Sequence, residues 1–366
     1  MNKSYYCLGL MSGTSMDGVD ASIIYTDGKS KYRSILDRYF EYPRNIFNRL
    51  TSLKDKIKNS KDLKKYNKKI KLLEKEITVF HAAAVNKIQK TTKINIDFIG
   101  FHGQTIFHNA KEKITKQLGD GKLLSKLTKK TVVYDFRKND LKNGGQGAPL
   151  VPIFHKMLEK KFRIKPVSFF NIGGIVNRTT ISIDRKLSSK DEGPGMCLID
   201  KWIRKNSKKK YDKNGNIAKL GKVNQKILFK YWSDFLISNN DKKSFDTSNF
   251  DISFVKKLSL EDGAATLTYY TAKIFITIFI KNKILKIKEN TILCGGGRKN
   301  KFLVDIIKSY NKNLKLIDYY GVNGDFVESQ AFAYLAIRSH LKLPISFPET
   351  TGCKKPCTGG IITRNF

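Results

Sequence analysis

The stretch GLMSGTSMDGVDASII, residues 9–24, largely decides the fold class. Two short apolar runs flank a turn rich in Gly, Ser and Thr, and this pattern predicts a β-hairpin. The turn region carries Asp17 and Asp20. An Asx turn explains either aspartate, because Asp is a common turn former. Backbone N–H groups of a glycine-rich turn can also converge on an anion, so phosphate binding is the second interpretation.

Two further glycine turns support the second interpretation. NIGG at 171–174 lies between two predicted strands and forms another early hairpin, and CGGG at 294–297 follows a third predicted strand. Each turn alone is weak evidence, since most glycine turns only reverse the chain. Their distribution suggests two halves that surround a phosphate-binding cleft. Neither the dinucleotide pattern G-x-G-x-x-G nor the P-loop pattern occurs.

The remaining pattern predicts two related α/β halves. Apolar residues at helical spacing over 63–84 predict a long helix, and INIDFIG at 94–100 predicts a buried strand. The predicted strands are 4–11, 21–26, 34–42, 94–100, 167–171, 178–183, 291–294 and 314–319, and the later helices are 258–280, 301–310 and 325–341. The final helix is expected to cross back to the first half. The predicted domains are therefore 1–165 with 330–366, and 166–329.

The charge is strongly positive. Seventy Lys and Arg residues against 32 Asp and Glu residues give a net charge of +38 among 366 residues. Such a field attracts nucleic acid or an anionic surface. The lysines are spread over the whole length, however, which favours solvated faces, and specific nucleic-acid binding is not expected. Attraction of anionic substrates is the simpler consequence.

The compartment is predicted from the cysteines and the apolar runs. The five cysteines are scattered through apolar contexts, so neither a disulfide framework nor a structural zinc site is expected. No apolar run is expected to approach the roughly 18 residues of a membrane helix, and the first residues lack a long enough apolar stretch for a signal peptide. The expected location is cytoplasmic, with no membrane partner.

Polar residues that could hold a small molecule cluster in two segments. GFHGQTIFH, residues 100–108, is expected to present His102, Gln104 and Thr105 just after a buried strand, where α/β folds bind ligands. DFRKNDLKNGGQGAPLVP, residues 135–152, contains Arg137, which could clamp a carboxylate at two points. The alternative for Arg137 is a local surface salt bridge with Asp140.

Asp191 is the candidate general base. In DEGPGMCLID the glycines and proline predict a rigid turn, with a helix starting near Met196. A carboxylate held beside a helix N-terminus is suited to accept a proton. Helix capping is the alternative role for this aspartate.

The motifs together resemble one known family. They are GLMSGTSMDGVDA, GFHGQT, YDFRKND, GGQGAPLVP, NIGGIVN, DEGPGMCLID, LSLEDGAATLT, CGGGRKN and LPISFPETTG. Their order over nearly the whole chain resembles the anhydro-N-acetylmuramic acid kinase family, part of the sugar kinase, actin and heat-shock ATPase superfamily. The resemblance implies an α/β fold of two ribonuclease-H-like, actin-like ATPase domains with a nucleotide cleft between them. It also implies ATP-dependent opening of the 1,6-anhydro ring and phosphorylation at carbon six, giving N-acetylmuramic acid 6-phosphate in peptidoglycan recycling.

The resemblance also implies roles for residues at matching positions. Asp191 matches the family's catalytic base, which activates water toward the anomeric carbon. The first turn by itself predicts that Asp17 holds Mg²⁺ through water, because an acid beside phosphate would repel it unless a cation intervenes. ATP is expected on Gly13, Thr14, Ser15, Met16, Asp17, Gly18, Val19, Asp20, Gly173, Gly174, Asn177, Gly295, Gly296 and Gly297. The sugar is expected on His102, Gln104, Thr105, Arg137, Gly147 and Pro149.

The chain departs from the family pattern at a few positions. Glu192 and Met196 stand where the family usually has Thr and Asn, and an inward-pointing Glu192 would raise the pKa of Asp191. PCTGG at 356–360 replaces the more usual Pro-Leu-Thr-Gly-Gly. Two other functions stay open: a kinase of the same fold for another amino sugar, and a basic polyanion-binding protein. A homodimer is also left open.

Overall fold

A computed structural model describes residues 3–239, 245, 247–285 and 287–366. The strands are β1 Tyr5–Ser12, β2 Gly18–Thr26, β3 Tyr32–Glu41, β4 Phe98–Asn109, β5 Ile114–Leu118, β6 Thr131–Tyr134, β7 Val167–Ile172, β8 Ile175–Ile181, β9 Leu187–Pro194, β10 Asn290–Cys294, β11 Leu314–Leu316 and β12 Ile361–Thr363. The α-helices are α1 Arg44–Lys56, α2 Ser60–Lys65, α3 Asn67–Thr91, α4 Gly121–Thr128, α5 Lys138–Lys142, α6 Pro152–Phe162, α7 Cys197–Asn206, α8 Gln225–Asn239, α9 Leu260–Ile284, α10 Lys301–Tyr310, α11 Val327–His340 and α12 Pro348–Thr351.

The chain forms two compact units with the same sheet plan. Unit 1 comprises Met1–Arg163 and Phe326–Phe366, and unit 2 comprises Ile164–Asp325. The sheet of unit 1 has the order β12-β6-β4-β1-β2-β3, with β5 attached to β4, and that of unit 2 has the order β11-β10-β7-β8-β9. In each sheet an antiparallel three-strand meander is extended by two parallel strands on the side of its first strand. In unit 1 the edge strand β12 is then added antiparallel to β6. This arrangement confirms the predicted α/β class with two ribonuclease-H-like units.

Helix α11 forms the centre of one face of unit 1. It packs against β1, β2 and β4, and it approaches the sheet very closely. A Cβ atom on Gly9 would lie 1.8 Å from the carbonyl oxygen of Ser329, and one on Gly100 would lie 2.2 Å from that of Phe332. Glycine at both strand positions is therefore what admits the helix backbone.

Several predicted boundaries are wrong. The strand predicted at 94–100 begins at Phe98 and runs on to Asn109, and the strand predicted at 314–319 ends at Leu316, where a 3₁₀ turn, Ile317–Tyr320, follows. The long helix predicted at 63–84 is two helices, α2 and α3, that meet at Tyr66. The side chain of Asn59 accepts hydrogen bonds from N–H groups of the first turn of α2, which fixes a separate start for that helix.

Helix α9 is the core helix of unit 2. It packs against α7, α8 and α10, and the indole of Trp202 donates to the carbonyl oxygen of Leu260 at 2.9 Å. The expectation that no apolar run approaches 18 residues is wrong here, because α9 contains an 18-residue window of mean hydropathy 1.3. Since 72% of that window is buried, its composition is that of a helix surrounded by protein.

Candidate active site

The first glycine turn, residues 12–18, joins β1 to β2 in unit 1. Met16 adopts a left-handed conformation with φ 58°, donates its N–H to the carbonyl oxygen of Gly13 at 3.2 Å and buries its side chain in the core. Asp17 is exposed and accepts a hydrogen bond from the hydroxyl of Ser15 at 2.6 Å. Met16 therefore anchors the turn, while Thr14, Ser15 and Asp17 face solvent.

Three residues assigned to this turn belong to strand β2. Gly18, Val19 and Asp20 are its first residues, and Asp20 pairs with Met11 of β1. The side chain of Val19 is fully buried in the core of unit 1. The backbone of Val19 is thus the part that could face a ligand.

Strand β4 carries polar side chains beside this turn. Gln104 pairs with Ser12 across the parallel β1–β4 ladder, and its Nε2 donates to the carbonyl oxygen of Gly13 at 3.0 Å. The expectation that His102, Gln104 and Thr105 follow the end of a strand is wrong, because all three lie inside β4. Gly100 does not end the strand; it lies within β4 and makes room there for the backbone of α11.

The buried His102 and the half-buried Arg137 form a pair in unit 1. Nε and Nη2 of Arg137 lie 3.1 and 2.9 Å from Nε2 of His102, and Nδ1 of His102 lies 2.8 Å from the carbonyl oxygen of Gly103. Because arginine only donates, Nε2 is the acceptor and Nδ1 carries the proton. Burial, followed by the charge of Arg137, holds the pKa of His102 well below its usual range. His102 is therefore a neutral imidazole that orients the guanidinium.

Arg137 also fixes the glycine loop of unit 1. Its Nη1 donates to the carbonyl oxygen of Gly147 at 2.9 Å, and Asp140 accepts from the N–H of Gly147 at 2.6 Å. Asp140 also accepts from the hydroxyl of Thr351 at 2.6 Å. Arg137 thus binds the carbonyl group of Gly147 and Asp140 binds its N–H group. This arrangement differs from the local Arg137–Asp140 surface salt bridge that was the alternative.

Glu328, at the start of α11, is a charged neighbour that the motifs did not reveal. Burial lowers the pKa of Arg137 to about 10, and the negative charges of Glu328 and Asp140 oppose this shift. Burial likewise raises the pKa of Glu328, while Arg137 lowers it. The only sequence signal for Glu328 is an acidic residue in the first turn of a helix, which commonly serves the helix alone.

The other two residues assigned to the sugar lie at the margins of this arrangement. The hydroxyl of Thr105 accepts from Nε2 of Gln117 at 3.2 Å, so Thr105 is joined to strand β5. Pro149 is half-buried, two residues beyond Gly147. The hydrogen bonds of unit 1 therefore bring together His102, Arg137 and Gly147 most directly, and Gln104 with the first glycine turn.

The two glycine turns of unit 2 follow neighbouring strands. Asn171 and Cys294 pair in the parallel β7–β10 ladder, so NIGG and CGGG leave the sheet side by side. Gly295 has φ 79°, and a Cβ atom there would lie 2.3 Å from Oδ1 of Asn171. Gly296 is exposed, and a Cβ atom there would meet nothing within 4 Å. Gly295 is thus required by packing, whereas Gly296 is open to a ligand.

A charged cluster of Arg298, Asp318 and Asp325 holds the CGGG turn in place. Arg298 donates from Nε and Nη2 to Asp318, at 2.7 and 2.9 Å, and from Nη1 to Asp325 at 2.6 Å. Its Nη1 also donates to the carbonyl oxygen of Gly295 at 3.1 Å. Burial opposes the charge of Arg298, but the hydrogen bonds and charges of the two aspartates outweigh it and raise the pKa of the guanidinium. No sequence motif predicts this cluster, because Arg298, Asp318 and Asp325 lie in separate segments of the chain.

Asp191 lies inside strand β9, which corrects its predicted place in a turn beside a helix N-terminus. It pairs with Asn177 of β8 in the antiparallel ladder, and Nδ2 of Asn177 donates to its Oδ1. Its Oδ2 accepts from the N–H of Phe245 at 2.8 Å. Helix α7 begins only at Cys197, so Asp191 is not its capping residue. Strand geometry and two donors therefore fix a half-buried carboxylate.

The chemistry of the described residues suits a hydrated magnesium ion. They contain no group of three or more His, Cys, Asp or Glu side chains able to hold a metal. Asp17 is a single exposed carboxylate on the first glycine turn. Mg²⁺ usually keeps several waters and takes one or two carboxylates plus substrate phosphates, so this donor set fits it better than a protein cage would.

Comparison with known proteins settles the family. A sequence profile described as anhydro-N-acetylmuramic acid kinase matches residues 5–365. The chain belongs to this family. A Pelagibacter ubique protein named anhydro-N-acetylmuramic acid kinase is 53% identical over 100% of both chains. Proteins of the same name from Brucella canis and Agrobacterium fabrum are 37% identical over 98% of both chains and 36% identical over 100% of both.

Membership in the anhydro-N-acetylmuramic acid kinase family confirms the predicted family and the predicted enzyme class, an ATP-dependent sugar kinase. Two of the departures from the family pattern, Glu192 and Met196, have a defined structural setting. Glu192 is the extra residue of a bulge in the β8–β9 ladder, between Asp191, which pairs with Asn177, and Gly193, which pairs with Val176. Glu192 pairs with Arg178 at 2.5 Å and with Lys190 at 3.1 Å. Met196 precedes α7 and packs against the core of unit 2.

Proposed function

We propose that this chain hydrolyses the 1,6-anhydro bridge of anhydro-N-acetylmuramic acid and transfers the γ-phosphoryl group of ATP to the oxygen at carbon six. The products are N-acetylmuramic acid 6-phosphate and ADP, and the proposed setting is peptidoglycan recycling in the cytoplasm. The observation that carries this proposal is the family match over residues 5–365, in a chain that retains Asp191.

The proposed nucleotide residues are the three glycine turns. Gly13–Gly18, Gly173–Gly174 and Gly295–Gly297 would present backbone N–H groups to the phosphates and the adenosine, because glycine leaves no Cβ atom in the way. The open position of Gly296 supports this assignment. Asn177 is proposed to act beside Asp191, to which it donates a hydrogen bond.

Magnesium is proposed to act with Asp17. When bound, the cation would neutralise charge on the β- and γ-phosphates, which is the common requirement of phosphoryl transfer. Asp17 would hold it through water, since its carboxylate is exposed on the turn. Ser15, which donates to Asp17 at 2.6 Å, would orient that carboxylate.

Arg137 is proposed to bind the lactyl carboxylate of the sugar. His102 and Gly147 hold its guanidinium in one orientation, and a guanidinium keeps enough donors to grip a carboxylate in addition. A neutral His102 favours this role, because it leaves the positive charge on Arg137. Gln104, Thr105, Gly147 and Pro149 are the further residues proposed for the sugar.

Asp191 is proposed as the general base. Its carboxylate would accept a proton from a water molecule, whose oxygen attacks the anomeric carbon. The bond from that carbon to the bridging oxygen breaks, and the freed oxygen at carbon six attacks the γ-phosphorus of ATP, with ADP leaving. Asn177 and the N–H of Phe245 would keep the carboxylate aimed, so positioning supplies much of the catalysis.

The first experiment combines purified protein, magnesium ATP and anhydro-N-acetylmuramic acid, and follows ADP and sugar phosphate by mass spectrometry. Wild type is expected to give a sugar phosphate that carries one added water. Asp191→Asn is expected to lose about 10²–10⁴-fold in kcat, the usual contribution of a general base. Glu192→Gln is the matched control, because its carboxylate pairs with Arg178 and Lys190.

Two outcomes would redirect the proposal. No turnover by folded wild type would reject this substrate and favour a kinase for another amino sugar, which a panel of amino sugars would identify. Equal loss in Asp191→Asn and Glu192→Gln would reject the assignment of the base. A homodimer stays a prediction that light scattering tests directly.

A further inference from the structure

Two cysteines lie side by side in the loop that follows α12. Cys353 and Cys357 flank the sequence Lys-Lys-Pro, and their side chains are only 2% and 4% exposed. Their Sγ atoms lie 3.2 and 3.0 Å from the same acceptor, the carbonyl oxygen of Lys355. Both cysteines are free thiols, and the shared acceptor brings both sulfurs to one carbonyl oxygen.

The backbone at each end of this thiol loop is fixed by hydrogen bonds. Cys357 forms an antiparallel bridge with Ser346, donating to its carbonyl oxygen at 3.0 Å, and accepts from the N–H of Ile345 at 2.8 Å. Next to Cys353, Lys354 donates to the carbonyl oxygen of Asn143 at 3.1 Å. The three residues between the cysteines are exposed. The fold therefore fixes the sulfurs close together under a short surface segment.

We propose that Cys353 and Cys357 form a paired-thiol site that closes to an intrachain disulfide by exchange with a small-molecule disulfide. One protein thiolate attacks the reagent's S–S bond, forms a mixed disulfide and releases the first reagent thiolate. The second protein thiolate then attacks the protein sulfur of the mixed disulfide and releases the other. The two cysteines are oxidised, the reagent is reduced to two thiols, and the two protein S–H protons go to those thiols.

The environment of the pair sets the conditions for this exchange. Burial, followed by the neighbouring Cys353, raises the pKa of Cys357 to about 11, with Asp140 raising it further and Lys355 lowering it. The thiolate is the attacking species, so the reaction is slow at neutral pH and accelerates as the pH rises. A five-residue span from one cysteine to the other keeps the second thiol near the mixed disulfide.

The thiol loop is also attached to the glycine loop of unit 1. Thr351 bonds to Asp140 through its hydroxyl, and its carbonyl oxygen accepts from the N–H of Gln146 at 2.7 Å. Closure of the disulfide would therefore act on the segment that carries Gly147. An effect on sugar turnover rests on the proposed function, whereas formation of the disulfide does not.

The test treats the native full-length protein with oxidised glutathione at mildly alkaline pH, followed by alkylation of the remaining thiols. Digestion after glutamate, including Glu349, keeps both cysteines in one peptide for mass spectrometry. The expected peptide has lost two hydrogens and carries neither glutathione nor the alkylating group, while the circular dichroism spectrum is unchanged. Closure seen only in urea-unfolded protein, with both cysteines alkylated in the native protein, would overturn the proposal.

Variants and a second reagent make the test specific. Cys353→Ala and Cys357→Ala are expected to stop at the mixed disulfide, whereas Cys197→Ala, a half-buried single thiol on α7, should close as wild type does. Phenylarsine oxide bridges two neighbouring thiols, so wild type should bind it stably and protect both cysteines from alkylation. Failure of folded wild type to bind this reagent, or equal binding by the Cys357→Ala variant, would also refute the paired site.

Discussion

At the scale of single residues, Asp140 determines the geometry of the glycine loop. It is buried, and its carboxylate accepts from the N–H of Gly147 and the hydroxyl of Thr351. Asp140→Ala removes the acceptor of the Gly147 N–H, which costs about 1–3 kcal/mol, and leaves the Thr351 hydroxyl with the longer bond to the carbonyl oxygen of Phe347 at 3.3 Å. We expect a lower melting temperature and a higher KM for the sugar, with a smaller change in kcat, because Gly147 also anchors Arg137.

Asp140→Asn separates this positioning role from a need for the charge. The amide oxygen can accept from Gly147, and the Thr351 hydroxyl can rotate to accept from the amide nitrogen. The variant should therefore recover most of the melting temperature and KM lost in Asp140→Ala. A melting temperature and KM in Asp140→Ala equal to wild type would contradict this role.

The candidate site was predictable at the residue level only where its members are neighbours in sequence. Asp191, Arg137 and the glycine turns lie in dense motifs, whose residue types already suggest phosphate or carboxylate chemistry. Arg298 and Glu328 could not be found in this way. The guanidinium of Arg298 meets Asp318 and Asp325, and Glu328 acts on Arg137, so each role depends on segments that only the fold brings together.

At the scale of elements, the CGGG turn offers a matched pair of substitutions. Gly295→Ala introduces a Cβ atom 2.3 Å from Oδ1 of Asn171 at a φ of 79°, so it should strain the turn and lower the melting temperature. Gly296→Ala meets nothing within 4 Å and should leave the melting temperature unchanged. If this turn faces ATP, both variants raise the KM for ATP, as measured by steady-state kinetics.

Comparing the KM for ATP of Gly295→Ala with that of Gly296→Ala tests whether the turn binds the nucleotide. An ATP KM that rises in Gly295→Ala alone would show that the turn only supports the fold and would remove Gly296 from the nucleotide site. The melting temperatures check that the kinetic differences come from the intended cause. Magnesium is kept in excess in both assays, so that metal binding is not the variable.

The elements themselves were predicted well where one periodic pattern decides them. The hairpins of both units and helix α10 fall where the apolar pattern and glycines predict. The predicted strand 94–100 misses most of β4, which continues beyond Gly100, a position needed for the close approach of Phe332 of α11. For helix α9, the expectation that no apolar run approaches 18 residues was wrong, and the burial of most of its apolar window explains why the run is so long. Local pattern cannot supply either fact.

At the scale of the whole molecule, buried histidines predict sensitivity to acid. Burial lowers the pKa of His81 to about 4 and of His155 to about 3, and it holds the pKa of His102 well below its usual range. Below pH ~6.5 the unfolded chain binds protons that the folded chain does not, so stability falls as the pH decreases. Each such histidine contributes up to about 1.4 kcal/mol per pH unit between its two pKa values.

The slope of unfolding free energy against pH measures this effect. His81→Gln keeps a donor for the carbonyl oxygen of Ile77 and removes the titrating group, so the slope between neutral and mildly acidic pH should become shallower. Chemical denaturation at several pH values gives the slopes for wild type and variant. Equal slopes would mean that His81 takes up a proton in the folded protein.

The net charge of +38 gives opposite salt dependences for stability and for substrate capture. Added salt shortens the screening length to about 10 Å at 0.1 M, which weakens repulsion among the lysines. The melting temperature should therefore rise with moderate sodium chloride.

Because ATP and the proposed sugar are both anions, kcat/KM should fall over the same range while kcat changes little. A neutral osmolyte at matched osmolality should reproduce neither ionic effect. A kcat/KM that does not respond to salt would mean that the lysine excess has no part in bringing substrates to the enzyme and serves only the protein's solvated surface.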